Sequence, residues 1–235
     1  MSERGVSLVL VLLVTSLLTA IGLGLALVTT THLMVTGNYR TSVAMLAAAE
    51  AGIELAAHDL ALQSDWDLVL RGSVRSSRAD GVPSGQRSLP GGATLNLDTQ
   101  TNLLNCGRAT ACSAAQIAAN SRDRPWGPNN PRWRLYAYGP LASLGPFARP
   151  GPYYLLVWVS DDSRESDGDP GTDGGGPDHD GMGVLRVRAD TFAGFGARKA
   201  VEAELTRVCR TDDGREWCLP GIRVQSWREI RQVAP

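Results

Sequence analysis

Lysine is almost missing from this chain: Lys199 is the only one in 235 residues, and arginine carries the rest of the positive charge. We read that bias as a mark of base composition rather than of function. The net charge is −1 and the pI is near 6.3, so there is no excess of positive charge to attract a polyanion. No basic run with interleaved aromatics occurs either, and nucleic acid is not an expected partner. Catalytic motifs are also lacking: HExxH, GxSxG and the P-loop are all absent. His32, His58 and His179 lie far apart and are not expected to build a triad with Ser7 or another hydroxyl. Glu50 and Glu54, one helical turn apart, read as surface charges rather than an acid–base pair. No solenoid period is present, and the chain is not read as an enzyme.

The largest gap is in charge. Between Arg4 and Arg40 there is no Lys, Arg, Asp or Glu. The apolar stretch that begins at Val6 exceeds the ~20 residues that cross a bilayer, and we place a membrane span at about 6–36. Helix-forming residues continue past Tyr39, with Ala44, Ala47, Ala48, Ala49, Ala51, Leu55, Ala56, Ala57 and Leu60 leaving one apolar stripe. The spacing predicts one helix over 6–62. A cleaved secretory signal has a shorter apolar core, of ~7–15 residues, and 28–32 makes a poor cleavage site. An uncleaved signal anchor on an unrelated ectodomain has the same hydropathy and stays open. Gly22, Gly24 and Gly37 would permit bending, although glycine is common in membrane helices.

Beyond that helix about 170 residues remain, enough for one head domain. Residues 63–92 read as a connecting loop with one short element at 66–70, and 93–235 as a β-rich head. Strands are expected at 93–98, 132–139 and 153–160, with a short helix at 113–120 between the first two. The prolines at 125, 128, 131, 140, 146, 150 and 152 must lie outside strand interiors. A hairpin joins 183–190 to 198–209. Its register sets Arg188 opposite Glu202 and Arg186 opposite Glu204 on one face, and Leu185 opposite Leu205 and Val187 opposite Ala203 on the other. A last strand at 221–231 would alternate Ile222, Val224 and Ser226 against Arg223, Gln225 and Trp227.

The four cysteines form two close pairs, Cys106 with Cys112 and Cys209 with Cys218, in spacings that fit no zinc pattern. Of the three possible connectivities we favour local pairing, which an oxidising compartment would permit. Residues 161–183 form an acidic, glycine-rich loop, with eight acidic residues against Arg164 and seven glycines from Gly168 to Gly183. Hard oxygen ligands on flexible backbone suit calcium, and Asp161, Asp162, Asp167, Asp169, Asp173, Asp178 and Asp180 are the candidate ligands. The sequence is not an EF-hand, and a solvated acidic turn is the competing reading.

Arg4-Gly5 ahead of the apolar stretch resembles the cleavage site of type IV prepilins. Within that superfamily, Thr36-Gly37-Asn38 followed by Ala48-Ala49-Glu50-Ala51-Gly52 resembles the amino-terminal region of PilX-type minor pilins. The likeness covers about the first sixty residues and returns weakly at 198–203. It implies an α+β, pilin-like fold: a long N-terminal transmembrane helix whose outer half carries an antiparallel β-sheet head. It also implies a leader at 1–5, cut between Gly5 and Val6 by a prepilin peptidase. Gly37, Asn38 and Glu50 become assembly residues, and a Cys209–Cys218 disulfide would close a hairpin like the carboxy-terminal loop of many pilins. The implied location is a single pass through the inner membrane with a periplasmic head, then the pilus filament. The implied partners are the major pilin, other minor pilins, the inner-membrane assembly platform and a tip adhesin.

The sequence departs from the pattern at two places. Val6 stands where most mature pilins begin with an aromatic residue or Met. Leu10 stands where ordinary pilins carry the glutamate that neutralises the neighbouring subunit's new amino terminus. Since a charge in hydrocarbon is costly unless paired, a subunit without that glutamate fits best with nothing ahead of it. This implies a tip or priming position, as in the similar minor pseudopilin K of type II secretion, whose head has calcium sites. A type II secretion pseudopilin, and a signal-anchored periplasmic calcium-binding or adhesive domain, are the alternatives.

Overall fold

A computed structural model describes residues 3–89, 92–119, 132–144, 151–164, 168–174, 183–212, 215–219 and 221–230. The chain divides into two compact units, residues 1–44 and 45–235. Helix α1 (Glu3–Ala61) begins in the first unit, where its side chains from Val6 to Val43 include a long series of exposed large hydrophobics. This helix is long and apolar enough to cross a membrane.

In the second unit the chain continues through α2 (Asp67–Leu70), β1 (Gln86–Ser88), β2 (Thr94–Asn96), α3 (Leu97–Cys106) and α4 (Ala114–Ala118). Strands β3 (Arg134–Pro140), β4 (Tyr154–Asp161), β5 (Val184–Phe192), β6 (Arg198–Thr206), β7 (Cys209–Asp212), β8 (Arg215–Cys218) and β9 (Arg223–Glu229) follow. The main sheet is antiparallel, five-stranded, in the order β3-β4-β5-β6-β9, and two hairpins, β1–β2 and β7–β8, stand beside it. The class is α+β.

Apolar cores lie on both faces of the sheet, although its edge strand β9 stays exposed. On one, Ala49, Ile53, Ala56 and Leu60 of α1 meet Leu155, Val157, Val159, Leu185, Val187, Ala189, Val201, Ala203 and Leu205 in a single core. The helix turns small residues to this seam, so the sheet approaches closely. The other face packs Leu156, Trp158, Tyr138 and Phe192 under Leu89, Leu95, Leu97 and Trp133. That second layer explains why all eight residues of β4 are buried, rather than every other one.

The hairpin register is the expected one: Arg188 faces Glu202, Arg186 faces Glu204, Leu185 faces Leu205 and Val187 faces Ala203. The charge pairing on it is not. Arg186 bonds Glu202, Arg188 bonds Asp190 at 2.9 Å, and Glu204 is met by Arg164 at 3.3 Å. Arg186, Asp190 and Glu202 on this face are buried, and each takes the partner that neutralises it there. Arg186 also lies over Trp133, 5.1 Å from the ring centre.

Three other expectations change. The 63–92 segment contains β1, which pairs with β2, in addition to the expected short element, which is the helix α2. The strand expected over 93–98 stops at Asn96, whose side chain accepts the Thr99 N–H (2.9 Å) and starts α3. Ser113 caps α4 through a reciprocal bond with Gln116, in the region expected to be helical. Finally, β9 does not alternate throughout. A register shift between Glu204 and Leu205 places Val224 opposite Leu205 and Trp227 opposite Ala203, so Trp227 shares a face with Val224 rather than opposing it.

Candidate functional site

Gly5, Val6 and Leu10 lie on the first turns of α1, and the Val6 and Leu10 side chains are exposed. Gly37 and Asn38 follow on the same helix; a Cβ on Gly37 would meet no atom within 4 Å. No packing among the described residues therefore requires glycine at 37. Gly52 is the opposite case. A Cβ there would lie 2.8 and 3.0 Å from the two Leu155 methyls and 3.1 Å from the Ala189 Cβ, so the helix–sheet seam needs the missing side chain. Glu50, two residues earlier, is half-buried.

The end of α1 is fastened by aromatic and guanidinium groups. The Trp66 indole donates to the Leu60 carbonyl at 3.1 Å, a second bond beside the Gln63 N–H on one of the last carbonyls of the helix. Arg207 stacks on the Trp66 ring, 4.0 Å from its centre, and donates to the carbonyls of Gln63 and Ser64. Its other terminal nitrogen pairs with Asp173 at 2.9 Å, while its Nε is buried without a hydrogen-bond partner among the described residues. Asp173 in turn accepts from the Gly183 N–H and donates its own N–H to Asp67. Arg207 thus links the helix end, α2 and the acidic segment. Burial pushes the Asp173 carboxyl up to about 6, and Arg207 and the Gly183 N–H pull against that shift without cancelling it.

The candidate calcium ligands do not converge where they are described. Asp161 closes β4 and accepts the Asp162 N–H. Asp162 accepts the Arg164 N–H and lies 3.6 Å from its guanidinium, while Asp169 accepts the Gly171 N–H. Asp173 is engaged by Arg207, so a protein cation holds it. Among the described residues no three His, Cys, Asp or Glu side chains form a group able to hold a metal ion. Asp167, Asp178 and Asp180 lie outside the described residues.

Cys106 and Cys112 form a disulfide across the end of α3, where Gly107 adopts a left-handed conformation (φ 69°) and turns the chain back. Cys209 and Cys218 stand directly opposite one another across β7–β8, and Cys218 is disulfide-bonded.

Polar groups inside the sheet are matched closely. Asp190, fully buried, receives Arg188 and Arg198. Glu202 receives Arg186 and Arg228. Tyr154 donates to Asp80 at 3.0 Å; burial first, and that carboxylate second, raise its pKa above the usual phenol value. Burial likewise raises Tyr136. These groups read as structural.

Sequence reasoning missed Trp66 and Arg207 as a joint. The signal, an aromatic just after the helix and an arginine just after a strand, involves residues about 140 positions apart, and only the fold brings them together. Compared with known proteins, the chain matches no family model, no curated protein and no solved structure.

Proposed function

We propose that this chain is a minor pilin of the PilX type, which primes type IV pilus assembly or occupies the filament tip. The observation that carries the reading is α1 itself. Its first part offers exposed apolar side chains that suit a bilayer or neighbouring helices, while its last turns are built into the core of a β-rich head. A chain of that kind delivers its head wherever its helix goes, and its work is assembly rather than chemistry.

In this reading the prepilin peptidase cuts between Gly5 and Val6. The apolar stretch then leaves the inner membrane through the assembly platform and packs among the helices of the major pilin and the other minor pilins. Leu10 supports a leading position, since a subunit without a carboxylate there has nothing with which to neutralise an amino terminus ahead of it. The sheet head would face partner minor pilins or a tip adhesin from the periplasmic side. Gly52 supports the reading physically: the Ala48-Ala49-Glu50-Ala51-Gly52 run on which the resemblance rests contains the residue that lets sheet and helix approach.

The test is photo-crosslinking from position 13 of the helix in cells making pili. The expected product joins this chain to the major pilin or to another minor pilin. Adducts to lipid alone, with no pilin captured in piliated cells, would remove the chain from the filament and leave a membrane-anchored domain.

A further inference from the structure

Arginines in the head are matched with care. Asp190 takes two, Glu202 takes two, and Asp173 takes Arg207. A groove on the head collects arginines that are not matched in this way. An open groove of about 350 Å3 is lined by Arg71, Arg75 and Arg134, with Trp133 and Asn102 in its wall and Asp98 as the single carboxylate. Asp98 already accepts the Gly85 N–H at 2.8 Å.

None of the three arginines is well neutralised. The exposed Arg71 reaches only the half-buried Asp67, at 3.4 Å, in a pair of the kind that contributes little. Arg75 is exposed and has no ion pair or hydrogen bond with any described residue. Arg134 donates its Nε to the Leu70 carbonyl at 3.1 Å, and the two terminal nitrogens of its fork have no partner among the described residues. The positively twisted Gly72 (φ 76°) brings the α2 turn against this side chain: a Cβ there would lie 3.8 Å from the Arg134 Cδ. Burial first, and the neighbouring Arg132 second, lower the Arg134 pKa, as expected of a cation without a carboxylate beside it.

We propose that this groove binds a phosphate group, with the Arg134 fork as its principal contact and Arg71 and Arg75 closing on the remaining oxygens. A planar guanidinium presents paired N–H donors matched to a tetrahedral oxyanion, and a doubly charged group offsets several cations where a single carboxylate would not. The inference is independent of the assembly reading, because it concerns the head alone. A phosphomonoester in solution and a phosphate-bearing lipid headgroup offer the same chemistry.

The experiment is calorimetric titration of the full chain, in detergent micelles, with pyrophosphate. Saturable binding is expected, weakened at least about tenfold by Arg134→Gln. Arg75→Gln should weaken it too; this substitution breaks no described contact, so folding does not confuse the result. Arg164→Gln, on a pair outside the groove, should leave it unchanged. Repeating the titration in nanodiscs with and without phosphatidic acid assigns the source: competition by the lipid identifies a headgroup, and its absence a soluble phosphate. No saturable binding to the parent chain at millimolar pyrophosphate, or affinity in the Arg134 and Arg75 variants equal to the parent's, would overturn the proposal.

Discussion

Gly52→Ala tests the seam between helix and sheet. The substitution adds one methyl group to a helix interior, where alanine is favoured over glycine by ~1 kcal/mol. In an open position it would stabilise. At position 52 the methyl would sit 2.8 Å from one Leu155 methyl and 3.1 Å from the Ala189 Cβ. Leu155 is 1% exposed and lies within the core, so a shift of its side chain must displace core neighbours. Ala189 can yield only by moving its strand, which is paired on both sides. Overpacking of this kind costs ~1–3 kcal/mol. Set against the propensity gain, the net effect is a loss of about 1 kcal/mol, or roughly 2–4 °C in melting temperature for a chain of this size. Gly37→Ala, with nothing within 4 Å, serves as the control and should not destabilise. The assay is thermal unfolding of the full chain in detergent, followed by near-ultraviolet circular dichroism. If Gly52→Ala melts at or above the parent temperature, the close approach of α1 to β4 and β5 is not what requires the glycine.

Three further outcomes follow from the buried polar groups. Asp190→Ala leaves two arginines without their carboxylate inside the sheet, and should cost about 3–5 kcal/mol in urea unfolding. Trp66→Ala removes both the bond to the Leu60 carbonyl and the platform under Arg207; a loss of about 3–5 kcal/mol is expected by the same measurement. Asp173 makes stability depend on pH. Its folded pKa, about 6, lies above the ordinary 3.8, so the native state holds more protons in that window and stability falls as pH rises from about 4 to about 6. Asp173→Asn should flatten that slope, and an unchanged pH profile of the melting temperature would place the titrating group elsewhere.

What could be read from the sequence was mostly local or periodic. The long helix, the hairpin register and the capped helix after Ser113 all rest on neighbours within a few residues or on alternation across one turn. The β9 face was misread because a bulge inserts one residue, and alternation carries no mark of where a strand slips. The ion pairs shifted because Arg186, Asp190 and Glu202 on the charged face are buried, and a strand with polar residues on one side looks solvent-facing until that burial is known. The Arg207 joint and the arginine groove join residues distant in sequence, and no pattern along the chain announces either. The acidic segment announced itself by composition, yet composition cannot tell a calcium ligand from an arginine partner, and in this structure Asp173 pairs with Arg207.

The most direct test of the assembly account is the amino-terminal residue of the membrane-extracted protein, determined by mass spectrometry in cells with and without prepilin peptidase. The account predicts a chain that begins at Val6 only when the peptidase is present. A start at Met1 or Ser2 in both cells would make this a signal-anchored domain, and a start beyond Thr31 would separate the head from its helix and contradict the account outright.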